Sequence, residues 1–135
     1  MLAALGAINQ LTSRIIRAAI EVHRAFGPGL LEAVYFVCLV YELRRAGLKV
    51  ECERKFPVIY KGVAMDCFYK LDVLVEDQVV VEIKAVECVL PVHEAQLLTQ
   101  LKLANKPVGL LLNFNVPAMK EGIKRLLNRS ALSEG

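Results

Sequence analysis

Tryptophan is absent, histidine occurs twice and cysteine four times. Cys38, Cys52, Cys67 and Cys88 form no C-x-x-C pair, and the two histidines complete no clustered ligand set, which argues against a zinc centre. Each cysteine stands among apolar neighbours and reads as a small buried hydrophobe. Free thiols without a secretory leader predict a cytoplasmic protein. The apolar start MLAALGAINQL lacks a basic n-region, and no run reaches the length of a membrane span, so no membrane partner is expected. Repeats, linkers and low-complexity segments are also missing. Charge of one sign is scarce: 17 Lys and Arg against 14 Asp and Glu give a net +3. That permits a polyanionic partner without the dense basic stripe of a dedicated duplex binder. Arg44-Arg45 and Lys124-Arg125 read as solvated helix faces. What is present is apolar mass, 56% of 135 residues, enough for one domain with its own core.

Ile15, Ile16, Ala19, Ile20 and His23 recur at three- and four-residue steps. This predicts a helix over residues 11–26 with Thr12 as N-cap, residues 1–11 being a short extension or an extra turn of helix. Gly27-Pro28-Gly29 ends that helix. A second follows over 30–46, with Arg44 and Arg45 in its last turn and Gly47 as its cap. From Lys49 to Val86 the helical period gives way to three runs, KVECERKFPVIY, VAMDCFYKLDVLV and QVVVEIKAV. They read as an antiparallel meander turning at Lys61-Gly62 and at Glu76-Asp77-Gln78. Pro91 opens a helix over 93–104, and Asn105-Lys106-Pro107 ends it. PVGLLLNF suits a strand buried on both faces. Pro117 is placed to start a last helix over 117–128, and residues 129–135 form a disordered tail. The order α-α-β-β-β-α-β-α predicts an α/β (α+β) domain over 12–128, a mixed four-stranded sheet with flanking helices.

The informative residues are charges inside apolar strands. Asp72 stands in YKLDVLV, and Glu82 and Lys84 stand in VVVEIKAV. Strand alternation sets Glu82 and Lys84 on one face with Ile83 on the other. An ordinary Glu-Lys pair on a solvent-facing strand would look the same. The turn discriminates: a three-residue loop, 76–78, places Asp72 directly opposite Glu82, whereas a two-residue loop places it opposite Val81 and turns Glu82 away. Two facing carboxylates repel, and a divalent cation with oxygen preference, Mg2+ or Mn2+, relieves that repulsion. Lys84 then stands where it can neutralise charge developing on a phosphate. Tyr35 reads as packing, His93 as a cap, and His23 as a satisfied core histidine on the apolar stripe of its helix.

The pattern D-x9-E-x-K across a hairpin resembles the PD-(D/E)XK nuclease superfamily. Gly29-Leu30-Leu31-Glu32-Ala33-Val34-Tyr35 resembles the name motif of its small GxxExxY family, as do AAIEVHRAFGPGLLEAVY, YKLDVLVEDQVVVEIKAVE, HEAQLLTQLKLANKPVGLLLNFN and GIKRLLN. The likeness runs over residues 12–128. It implies a restriction endonuclease-like fold and a metal-dependent nuclease acting on DNA, with RNA ranked below. It implies Asp72 and Glu82 as metal carboxylates, the Ile83 carbonyl as a further ligand, and Lys84 as the catalytic lysine. Glu32 resembles the first-helix glutamate of RecB-like relatives beside the metal, with His23 as another candidate there. Gln96 resembles the glutamine of their Q-x-x-x-Y motif, whose tyrosine position is Gln100 in this chain. The modest charge suggests that a homodimer or partner supplies part of the nucleic-acid surface. The competing reading is a catalytically weak nuclease-fold module that binds nucleic acid or protein.

Overall fold

The computed structural model describes residues 2–132. Five strands form one mixed sheet in the spatial order of the chain: β1 (Val50–Tyr60), β2 (Val63–Val75), β3 (Val79–Lys84), β4 (Val108–Asn113) and β5 (Ile123–Leu127). All neighbours are antiparallel except β3 and β4, which are parallel and joined by the helix α3 (Pro91–Ala104). Helices α1 (Leu2–Phe26) and α2 (Glu32–Arg45) cover one face of the sheet, and α3 covers the other. The expected fold class holds, with one strand more than predicted.

Two cores result from strand alternation. Val79, Val81 and Ile83 of β3 and Leu110 and Leu112 of β4 pack under α1 and α2 with Ile15, Ala19, Leu39 and Leu43. Val80 and Leu111 point the other way, against Leu97 and Leu101 of α3. Every residue of β4 is buried, as its unbroken apolar run requires. Each such leucine contributes about 1.5–3 kcal/mol through burial, so the centre of the sheet holds the fold. Among the described residues no helix is long and apolar enough to cross a membrane.

At the N-terminus the helical alternative holds, and the N-cap expectation needs correction. Residues 2–10 are the first turns of α1, and Met1 lies outside the described residues. Thr12 is therefore mid-helix and not an N-cap: its buried hydroxyl donates to the Asn9 carbonyl at 3.0 Å, satisfying itself inside the helix. Helix α1 ends as expected, the Gly27 amide donating to the His23 carbonyl.

The last helix, expected over 117–128, is instead a short 3₁₀ turn (Met119–Gly122) followed by β5. Ile123, Leu126 and Leu127 fit a helical step and a strand equally well, so tertiary context decides. Strand β4 would otherwise leave an open edge, and β5 closes it from Val108↔Leu127 to Leu112↔Ile123. Gly122 allows the approach, because a Cβ there would lie 1.9 Å from the Asn113 carbonyl oxygen. Lys124-Arg125 is thus on a strand: Lys124 pairs with Glu94 of α3 at 3.5 Å, and Arg125 donates to Asn9 of α1. The tail is also more ordered than expected. Residues 129–132 form a helical turn, α4 (Arg129–Leu132), with Leu132 buried; 133–135 lie outside the described residues. Of the cysteines, Cys38 and Cys52 are half-buried, but Cys67 and Cys88 are exposed, because they fall on segments that no helix covers.

Candidate active site

The hairpin turn decides the geometry. Val75↔Val79 closes a three-residue loop, and the register runs on through Leu74↔Val80 to Val73↔Val81. The next pair in that register is Asp72 and Glu82. There the ladder stops, and β2 continues with β1 as a two-stranded ribbon to the Lys61-Gly62 turn. The amide that loses its ladder partner is Ile83 N–H, and the Asp72 carboxylate accepts from it at 3.3 Å.

Strand β2 also twists at this point. Val73 and Val75 pack in the core under α1 and α2, but Leu71 packs with Leu74 on the α3 side. Residues an odd number apart share a face only where alternation breaks. The pairs Cys52↔Val73 and Arg54↔Leu71 keep one register, so no residue is inserted. Glu53, across from Asp72 in that register, takes φ 52°, marking a local twist. The splay and the twist together open a notch at Asp72 and Glu82.

Lys84 follows Glu82 on the same strand face, because buried Ile83 takes the other. The Lys84 carbonyl accepts from Phe114 N–H on the β4 side, whereas Ile83 N–H points to β2. Peptide groups alternate along a strand, so the Ile83 carbonyl also points toward β2 and the notch.

Glu32 enters from the far end of the chain, and its motif has a physical account. Gly29 has φ 105°, a region that side chains avoid. Tyr35 is fully buried, stacks on Phe114 with centroids 4.7 Å apart, donates its hydroxyl to the Gly27 carbonyl at 2.6 Å and accepts from Leu30 N–H at 3.1 Å. Turn and tyrosine thereby fix the start of α2, whose first residue is Glu32, where a carboxylate suits the helix dipole.

Electrostatics tie these residues together. Burial pushes the Glu82 carboxyl up to about 8. The hydrogen bond with Asp72 and the Asp72 charge add to this, Glu32 raises it further, and Lys84 opposes. The chain has thus brought three carboxylates and one lysine into mutual range and left Glu82 short of positive charge. Two carboxylates and one carbonyl suit Mg2+ or Mn2+, which usually keep several waters. No group of three or more His, Cys, Asp or Glu side chains among the described residues is arranged to hold a metal. Glu32 acts on Glu82 through its charge.

Other expected residues lie elsewhere. His23 is buried with Nε2 2.8 Å from the Val116 carbonyl. That contact satisfies one ring nitrogen inside the fold, as the core reading of His23 expects. His93 caps α3, its Nδ1 accepting from Leu90 N–H at 3.0 Å. Gln96 is exposed and lines a surface groove of about 340 Å³ with Thr99, Gln100 and Tyr69. Tyr69, from β2, supplies the groove with a phenol although position 100 has none, and burial pushes its hydroxyl above the ordinary tyrosine value.

Sequence reading missed Asn113. Its buried amide accepts from Val86 N–H at 3.0 Å and donates to the Val86 carbonyl at 2.9 Å, holding the chain just after Lys84. The signal was one polar residue ending an apolar run. It also missed Asp77 as a turn anchor: hydrogen bonding to Lys106 holds its carboxyl below the usual range, and Arg54 adds to this.

A family model described as PD-(D/E)XK nuclease superfamily matches residues 9–126. No curated protein and no solved structure matches the chain.

Proposed function

The chain belongs to the PD-(D/E)XK nuclease superfamily, and on that premise we propose that it is a Mg2+- or Mn2+-dependent deoxyribonuclease of the GxxExxY branch. The observation that supports this most is the facing of Asp72 and Glu82 at the point where β2 leaves β3. Asp72, Glu82 and the Ile83 carbonyl would hold the ion, and Asn113 steadies the strand exit behind them. When bound, the ion would acidify a water and neutralise phosphate charge. Lys84 stabilises the charge that gathers on the non-bridging phosphate oxygens as the bond to the leaving oxygen breaks. Glu32 adds negative potential at Glu82, which strengthens the demand for a cation. Gln96 contacts substrate from the α3 groove. The ranking of DNA above RNA rests on the family likeness alone.

The second reading, a catalytically weak binding module, draws on Gln100 standing where relatives carry tyrosine. One experiment separates the two. Purified protein is incubated with linear, circular, single-stranded and branched DNA, with Mn2+ and with chelator, beside Glu82→Ala and Lys84→Ala. The nuclease reading expects cleavage with Mn2+ only, lost in both variants. Cleavage that survives both substitutions overturns it. Absence of cleavage together with retained DNA binding favours the module.

A further inference from the structure

Beyond Glu53 and Asp72 the ribbon formed by β1 and β2 is fully buried only at Leu71, with Phe56 and Tyr69 packed beside it, and the rest projects from the core. From residue 54 to residue 70 it carries Arg54, Lys55, Lys61 and Lys70 against a single acid, Asp66. That excess equals the +3 of the whole chain, so the remainder is neutral. The weak overall charge is thus not weakly spread; it is concentrated on one projecting element.

The register sharpens the point. Lys55 stands directly opposite Lys70, and Pro57 stands opposite Phe68. Like charges directly across a strand pair destabilise it. Arg54 is occupied by Glu51 and Asp77, and Lys61 lies over the Tyr60 ring, but among the described residues Lys55 and Lys70 have no acidic partner within ion-pair distance. Alternation puts Lys55, Lys70 and Phe68 on one face of the ribbon, and Phe68 is 62% exposed. Phe56 and Tyr69, with Arg54 over Phe56, take the other face. Lys70 is two residues from Asp72 along β2, a step of about 7 Å.

We infer that this face of the ribbon is the arm that holds single-stranded nucleic acid for the notch: Lys55 and Lys70 take a backbone phosphate between them, and Phe68 stacks on an unpaired base. The inference deepens the nuclease reading and rests on it for the identity of the polyanion. A phosphate relieves the repulsion that the paired lysines carry, and an exposed phenyl ring beside two ammonium groups suits a base with a free face. A duplex offers the phosphates but no free base face, so single strands bind more tightly than duplexes of equal length.

The test is fluorescence anisotropy with a labelled single-stranded oligonucleotide in chelator, where no metal-dependent cleavage intervenes, over a series of salt concentrations. Lys55→Ala/Lys70→Ala is expected to weaken binding about 10-fold or more and to reduce the salt slope by about 0.7, the value for one single-strand phosphate. Phe68→Ala is expected to weaken it roughly 10-fold with the slope unchanged. Lys102→Ala/Lys120→Ala, exposed lysines away from the ribbon, serves as control and stays within about 2-fold of the parent. Circular dichroism checks that each variant is folded, and sedimentation records its oligomeric state. Wild-type affinity in both ribbon variants overturns the inference while leaving a positive cleavage assay intact. Loss of binding in both, in a chain that cleaves nothing, keeps the arm and removes the nuclease. If Phe68→Ala splits a dimer and leaves oligonucleotide affinity unchanged, the face is a self-contact and the inference fails.

Discussion

The β3–β4 centre and the β1–β2 ribbon belong to one sheet yet treat charge in opposite ways. In the centre most neighbours are apolar and both faces are covered, and Glu82 and Lys84 are the only ionisable residues of β3 and β4. In the ribbon, charge is solvated and cheap, and Lys55 or Lys70 looks like any surface lysine. The difference teaches that a functional charge announces itself only where carrying it is costly. Where water covers the cost, the only sign is a pairing that a stable sheet would avoid.

Four experiments test that contrast, beginning with the largest effect. Glu82→Ala is expected to lower Mn2+-dependent cleavage on the order of 10³-fold, the scale of several kcal/mol of lost charge stabilisation. Its urea midpoint should not fall, because a carboxyl short of positive charge is being removed. A variant that cleaves normally breaks the contrast at its centre. Leu111→Ala, in the same strand pair, should destabilise by about 2–5 kcal/mol in urea unfolding, whereas Phe68→Ala on the ribbon should stay within about 0.5 kcal/mol. Equal losses at both positions would mean that the ribbon is part of the core.

Third, proton linkage should separate the two regions. Glu82 titrates near 8 in the native chain against an ordinary value of 4.5. Between those values the native state holds a proton that the unfolded state has released. Metal-free stability therefore falls as pH rises from about 4.5 to about 8, and the loss is complete above that. Urea midpoints measured at pH 5 and pH 9 in chelator should differ in this sense, and Glu82→Gln should shrink the difference. Excess Mg2+ should shrink it too, by displacing the proton. Lys70→Ala should leave it unchanged. The smallest effect belongs to Gln100, whose buried Oε1 has no hydrogen-bond partner. Gln100→Leu should be neutral or stabilising by up to about 1 kcal/mol in thermal unfolding, since it removes an unsatisfied acceptor.

Legibility followed the range of the forces involved. The helical stripe of Ile15, Ala19 and His23, the breaks at Gly27-Pro28-Gly29 and Asn105, and the buried run of β4 are local patterns, and they stand in the structure much as read. The three-residue turn alone set Asp72 opposite Glu82. The strand Ile123–Leu127 was unreadable, because its apolar spacing suits a helix as well and only the open edge of β4 selects a strand. The twist at Asp72 was equally hidden, since Glu53 carries no residue-type signal for a positive φ.

By itself the sequence determined most of the helices and strands up to β4, where they turn, and which three charges sit among apolar neighbours, because each depends on residues a few positions apart. Tertiary structure alone decided that Glu32 reaches Glu82 across 50 positions of chain, that His23 belongs to the Val116 carbonyl, and that β2 parts from β3 where the carboxylates meet. Those outcomes follow from long-range packing and from charge interactions in a partly dry notch, which no short stretch of sequence contains.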